Sequence, residues 1–142
     1  MRRIAFLNLV IGFFLIFMAA CGGAFVALRL TESYLNGVAS PGWEAALQAS
    51  SHGHTSLFGI IHILIGLTMP YSRSSDQIES LKTFGIFCGS MAMGPLLLVR
   101  AALGPTSSTE WSGLIVGTCL SLALAAILFH ALSLLRRVLQ RG

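Results

Sequence analysis

The sequence predicts an all-α fold: an integral membrane, antiparallel four-helix bundle with both termini cytoplasmic. Three observations lead there. Of 142 residues, 55% are hydrophobic and only 10% charged, against about 25% charged in ordinary soluble domains. Mean hydropathy is +0.81, and the apolar residues gather into four runs that approach the roughly 20 residues a helix needs to cross a bilayer. The basic residues sit at the ends of those runs. That placement marks topology and not a phosphate-binding stripe, so the net charge of +4 implies no nucleic-acid partner. The length permits a single membrane domain, 1–142.

The first span covers about residues 4–28. Its start, "MRR" and an apolar run leading to "MAAC", resembles a lipoprotein signal, but the apolar run continues through "GGAFVAL" beyond Cys21. A retained helix is therefore expected. An outer loop of about 29–53 follows. Within it "SPGWEAALQ" suggests a short helix on the membrane surface, with Ser40 as N-cap, Pro41 at the first helical position and Trp43 at the interface. The second span, about 54–71, ends in a short polar connector, "SRSSDQIES". The third, about 83–103, stops at Gly104-Pro105, and Trp111 anchors the fourth, about 111–135. In hydrocarbon each backbone group must bond within its own segment, which makes all four helical.

With the N-terminus inside, Arg2, Arg3, Arg73, Lys82, Arg136, Arg137 and Arg141 are cytoplasmic, and only Arg29 and Arg100 lie toward the outside. This positive-inside bias fixes the expected orientation. Small residues offer packing faces: Ala19 and Gly23, then Gly85 and Gly89 before a kink at Gly94-Pro95, then Gly113, Gly117, Ser121 and Ala125. Cys21, Cys88 and Cys119 are widely spaced inside apolar runs, which favours neither a zinc site nor a disulfide framework. No Asp or Glu falls within the expected spans. An ion-coupled transporter, which needs such a relay, is disfavoured. No GxSxG or other nucleophile–base pattern stands out, so a non-enzymatic role is expected.

Three of the four histidines lie in "SSHGHTSLFGIIHILIGLTMP". Wound as a helix, this segment places Thr55, Gly59, His62, Gly66 and Met69 on one stripe. Two readings of His62 compete. It is an axial haem ligand, with Gly59 and Gly66 making room for the macrocycle, or a buried histidine hydrogen-bonded to the next helix. His52 and His54 would point about 200° apart on a helix and could share one ion only if extended there. His54 and His62 stand roughly 12 Å apart along a helix, too far for one metal. His130 falls near the cytoplasmic end, by Arg136 and Arg137, at a different depth from His62. Arg100 either snorkels outward or meets a haem propionate, a lipid phosphate or a quinone head group. Asn8 is a candidate interhelical hydrogen bond.

The H-x-H pair in "SSHGHTSLFG", the arginine closing the third helix in "LLLVRAALG" and the Ser-Gly opening of "WSGLIVG" give the chain a resemblance. It resembles an uncharacterised family of small bacterial four-helix membrane proteins, distantly similar to haem–copper oxidase and nitric-oxide-response membrane proteins. The resemblance implies an inner-membrane location, His52 and His54 as haem or metal ligands, and Arg100 as the matching arginine. A further histidine expected early in the fourth helix of such proteins is missing here.

The expected function is thus a small haem b-binding protein in electron transfer or diatomic-gas chemistry. His62 or His54 would ligate the metal, and His52, Gly59, Gly66 and Arg100 would complete the site. The alternatives are a cofactor-free accessory subunit of a larger membrane complex or homo-oligomer, and a lipid- or quinone-binding protein.

Overall fold

The computed structural model describes residues 3–38, 42–72, 74–105 and 110–140. Its elements are all helices: α1 (Arg3–Leu35), α2 (Gly42–Ser72), α3 (Asp76–Met93), α4 (Pro95–Leu103) and α5 (Trp111–Leu139). With α3 and α4 taken as one broken rod, four helices are long and apolar enough to cross a membrane, with mean hydropathies of 2.6, 1.3, 1.7 and 2.2 in chain order. Ser40, Pro41, Arg2, Arg73 and Arg141, which entered the expectations above, lie outside the described residues.

The helices outrun the apolar runs. Most of the loop expected across 29–53 is helical, because α1 continues to Leu35 and α2 already begins at Gly42. The segment "WEAALQ" is rich in strong helix formers and extends α2 instead of making a separate surface helix. The polar connector shrinks in the same way. Ser75 caps α3, its side chain accepting from the Ile78 N–H, with Asp76 and Glu79 in the first turn. Those acidic residues suit the positive end of the helix dipole.

Close backbone approach organises the packing. The buried residues of α1 are Ala5, Asn8, Gly12, Leu15 and Ala19, a stripe of alternating threes and fours. This stripe meets α2 in descending register. A Cβ on Gly12 would lie 2.6 Å from the Gly59 carbonyl, and one on Gly66 would lie 2.8 Å from the Ala5 carbonyl. Gly85 and Gly89 give α3 the docking face expected of them: Gly85 abuts Leu122 and Ala126 of α5, and Gly89 abuts Ala123 and the Phe58 ring. Phe58, Ile65, Met69, Ile86, Ala123 and Ala126 fill the core between α2, α3 and α5.

The kink at Gly94-Pro95 is present. α3 ends at Met93, and Pro95 opens α4 at the position where its missing N–H costs nothing. The Gly94 carbonyl accepts from Ser51 Oγ at 2.9 Å, and Thr55 Oγ1 would sit 2.8 Å from any Cβ at Gly94. The expected α5 stripe does not face its neighbours. Gly117, Ser121 and Ala125 are exposed, while Ala123, Ala126 and His130 are buried. The core selects the α5 face that places His130 beside α2 and α3, and a different small-residue face is left outside.

Candidate functional site

His62 is fully buried at the meeting of α1, α2 and α3. Its Nδ1 lies 2.8 Å from Asn8 Oδ1, and its Nε2 lies 3.2 Å from Ser90 Oγ. The proton positions follow from Asn8. Its amide nitrogen donates to the Ile4 carbonyl at 3.0 Å and to Thr83 Oγ1 at 2.8 Å. A carbonyl can only accept, so the oxygen of the Asn8 amide faces His62, and His62 Nδ1 carries the hydrogen. Nε2 of the neutral ring is then an acceptor, aimed at Ser90. The Ser90 hydroxyl also has the Ile86 carbonyl at 3.0 Å, so one proton serves two acceptors.

This arrangement does not fit an axial haem ligand. Such a ligand must present a free ring nitrogen to the iron, but here Nδ1 meets Asn8 and Nε2 meets a serine on α3. Gly59 and Gly66 make room for α1 and not for a macrocycle: a Cβ on Gly59 would lie 2.9 Å from the Gly12 carbonyl. His62 matches the other expectation, a buried histidine bonded to neighbouring helices.

His52 and His54 lie on a continuous helix and do not converge. His54 turns back on its own helix, with Nδ1 2.8 Å from the Ser50 carbonyl. His52 reaches across to α1. Its Nδ1 donates to the Ala19 carbonyl at 2.8 Å, and its ring lies against Gly23, where a Cβ would come within 2.5 Å. Arg100 stacks 5.8 Å over the ring of Trp43, whose indole N–H donates to the Arg100 carbonyl at 3.3 Å. Among the described residues no three His, Cys, Asp or Glu side chains gather as metal ligands would.

Beside His52 a groove of about 340 Å³ opens between α1, α2 and the α3–α4 break. Phe14, Leu15, Met18, Phe25 and Leu98 make it apolar, and Gln48, Ser51, His52 and Thr55 give it one polar side. Among the described residues no Asp, Glu, Lys or Arg lines it.

A second buried cluster was missed by reading the sequence. Glu79 (0% exposed) and Lys82 (3% exposed) form an ion pair at 2.8 Å. Lys82 Nζ also lies 3.2 Å from His130 Nδ1, and His130 Nε2 lies 2.8 Å from Thr68 Oγ1. An ammonium only donates, so His130 Nδ1 accepts and its Nε2 carries the hydrogen toward Thr68. Ser72 donates to the second Glu79 oxygen. Glu79 lies just outside the expected third span, which is why the absence of acidic residues within spans gave no sign of it. The signal was periodicity: Glu79, Lys82, Thr83, Ile86 and Ser90 recur at threes and fours and are all buried. The two clusters are joined, since Thr83 Oγ1 donates to the Glu79 carbonyl at 2.9 Å and accepts from Asn8.

Compared with protein-family models, curated proteins and solved structures, this chain matches none of them. Its functional reading therefore rests on its own geometry.

Proposed function

We propose that this chain is a multi-pass membrane protein, an antiparallel four-helix bundle with both termini cytoplasmic, that binds a neutral, ring-headed apolar molecule of the quinone type. The observation that carries this reading is the apolar groove with His52 on its polar side. With Nδ1–H committed to the Ala19 carbonyl, the neutral ring offers Nε2 as an acceptor, which suits a quinol hydroxyl. A neutral head group fits because, among the described residues, no Lys or Arg lines the groove to meet a phosphate or carboxylate. The apolar walls suit an isoprenoid tail. Descending contacts between α1 and α2 support the antiparallel arrangement, and the distribution of Lys and Arg supports its orientation in the membrane. The bacterial inner membrane is the location that the resemblance implies.

The test is equilibrium binding of a short-tailed ubiquinol analogue to the detergent-purified protein. A Cβ on Gly22 would meet nothing within 4 Å, and Gly22 lines the groove. Gly22→Phe should therefore fill the groove without disturbing the fold and abolish binding, and His52→Ala should weaken it. Binding unchanged in Gly22→Phe would refute the groove as the site.

A second reading rests on the exposed face of Gly117, Ser121 and Ala125, which suits close packing on a helix of another subunit. Mild-detergent purification that recovers a stoichiometric partner, lost in Gly117→Leu, would favour it.

A further inference from the structure

At the opposite end from His52, a cleft of about 420 Å³ lies between the α2–α3 turn and the last turns of α5. Ser72, Ser74 and Ser75 line one side, and Ser133, Arg136, Arg137 and Gln140 line the other. From these residues we infer that the cleft binds the phosphodiester of an anionic phospholipid.

Arg137 is the central residue. Its guanidinium carbon lies 5.2 Å from the centre of the Tyr71 ring, a cation–π contact. Its Nε and Nη1 are buried and have no hydrogen-bond partner among the described residues. Buried N–H groups of a cation are costly without an acceptor, and the oxygens of a phosphate accept such bonds with charge assistance. Gln140, and the N-terminus of α3 capped by Ser75, add polar and positive character at the cleft.

The surrounding charges choose the ligand's charge. Among the described residues two arginines line the cleft, and no acidic residue does. Asp76 stands next to it in the first turn of α3, and Glu79 behind Ser72 is offset by Lys82. Among the described residues this leaves a surplus of positive charge, which suits an anionic phosphodiester. The walls choose the remainder of the molecule. Ile78 and Phe129 line the same cleft and are exposed, so an apolar chain can leave the phosphate along α5.

The experiment is native mass spectrometry of the full chain released from detergent, titrated separately with phosphatidylglycerol, phosphatidylcholine and inorganic phosphate. Phosphatidylglycerol should bind in preference to phosphatidylcholine, and Arg137→Gln should weaken it about tenfold. Ser133→Leu, which fills the cleft and keeps both arginines, should weaken it as well. Arg29→Gln, at the other end of the molecule, should leave it unchanged. Binding of inorganic phosphate without phosphatidylglycerol would overturn the inference, as would equal phosphatidylglycerol binding by wild type, Arg137→Gln and Ser133→Leu. Quinol-analogue binding should be intact in Arg137→Gln, so the two proposals fail separately.

Discussion

The two ends of this helix assembly solve the problem of polar groups among apolar helices in opposite ways. Around His52 and the Gly94 break, hydroxyl and imidazole groups satisfy backbone carbonyls one at a time: Ser51 to Gly94 and His52 to Ala19. Among the described residues no Asp, Glu, Lys or Arg lines the groove there. Around Glu79 and Lys82, full charges are buried and paired, and His130, Thr68 and Ser72 complete their bonding. Asn8, His62 and Ser90 lie between, polar and neutral. A neutral group bonded to a backbone carbonyl leaves room for a cavity beside it. A buried ion pair needs hydrogen-bonding groups packed around it, because each lone pair or proton left unsatisfied adds to its desolvation cost. The lining and surroundings of the two candidate sites follow the same division.

The comparison breaks first at the ion pair. Lys82→Met leaves Glu79 buried without its partner, and the expected loss of stability is about 3–5 kcal/mol. Unfolding in a denaturing detergent series measures it. The double variant Glu79→Leu/Lys82→Met should recover most of that loss, and equal losses in single and double variants would show that the pair is not the cause.

Next comes the α1–α2 seam. Gly59→Val drives side-chain atoms against the Gly12 carbonyl and Ile16, at a cost of about 1–3 kcal/mol. Gly117→Val, on the open face of α5, should change thermal stability by about 0.5 kcal/mol or less. A large effect at Gly117 would mean that another helix covers this face.

The neutral middle should respond least. Asn8→Leu removes the acceptor of His62 Nδ1 and the donor to Thr83, and a loss of about 1 kcal/mol is expected in the same unfolding series. A loss as large as that of Lys82→Met would merge the two clusters into one energetic unit through Thr83. Haem-supplemented expression should give a colourless protein. A Soret band abolished by His62→Ala would instead require that one ring nitrogen of His62 leave Asn8 or Ser90.

How much was legible follows from which interactions are local. The four helical segments, the α3–α4 kink and the docking face of Gly85 and Gly89 were readable, because span length, the Gly-Pro pair and GxxxG spacing are written along one chain segment. A hydrogen-bonded His62 was one of two legible readings, but its partners were not legible, since Asn8 and Ser90 come from two other helices. Glu79 was passed over because hydropathy drops at "DQIES" while the buried stripe continues through it. The small-residue stripe of α5 was expected to pack on a neighbour and lies exposed, because a helix can carry two such faces and its own sequence does not rank them.

By itself the sequence determined the helices and their apolar surfaces, since hydrocarbon leaves the backbone no other way to satisfy its polar groups. The tertiary structure decided which face of each helix turns inward. It thereby decided that Gly59 and Gly66 meet α1, that His62 is satisfied by neighbours, and that Glu79 and Lys82 are buried as a pair. Those outcomes depend on matching surfaces from separate helices, where a difference of one face exchanges a buried polar contact for an exposed one.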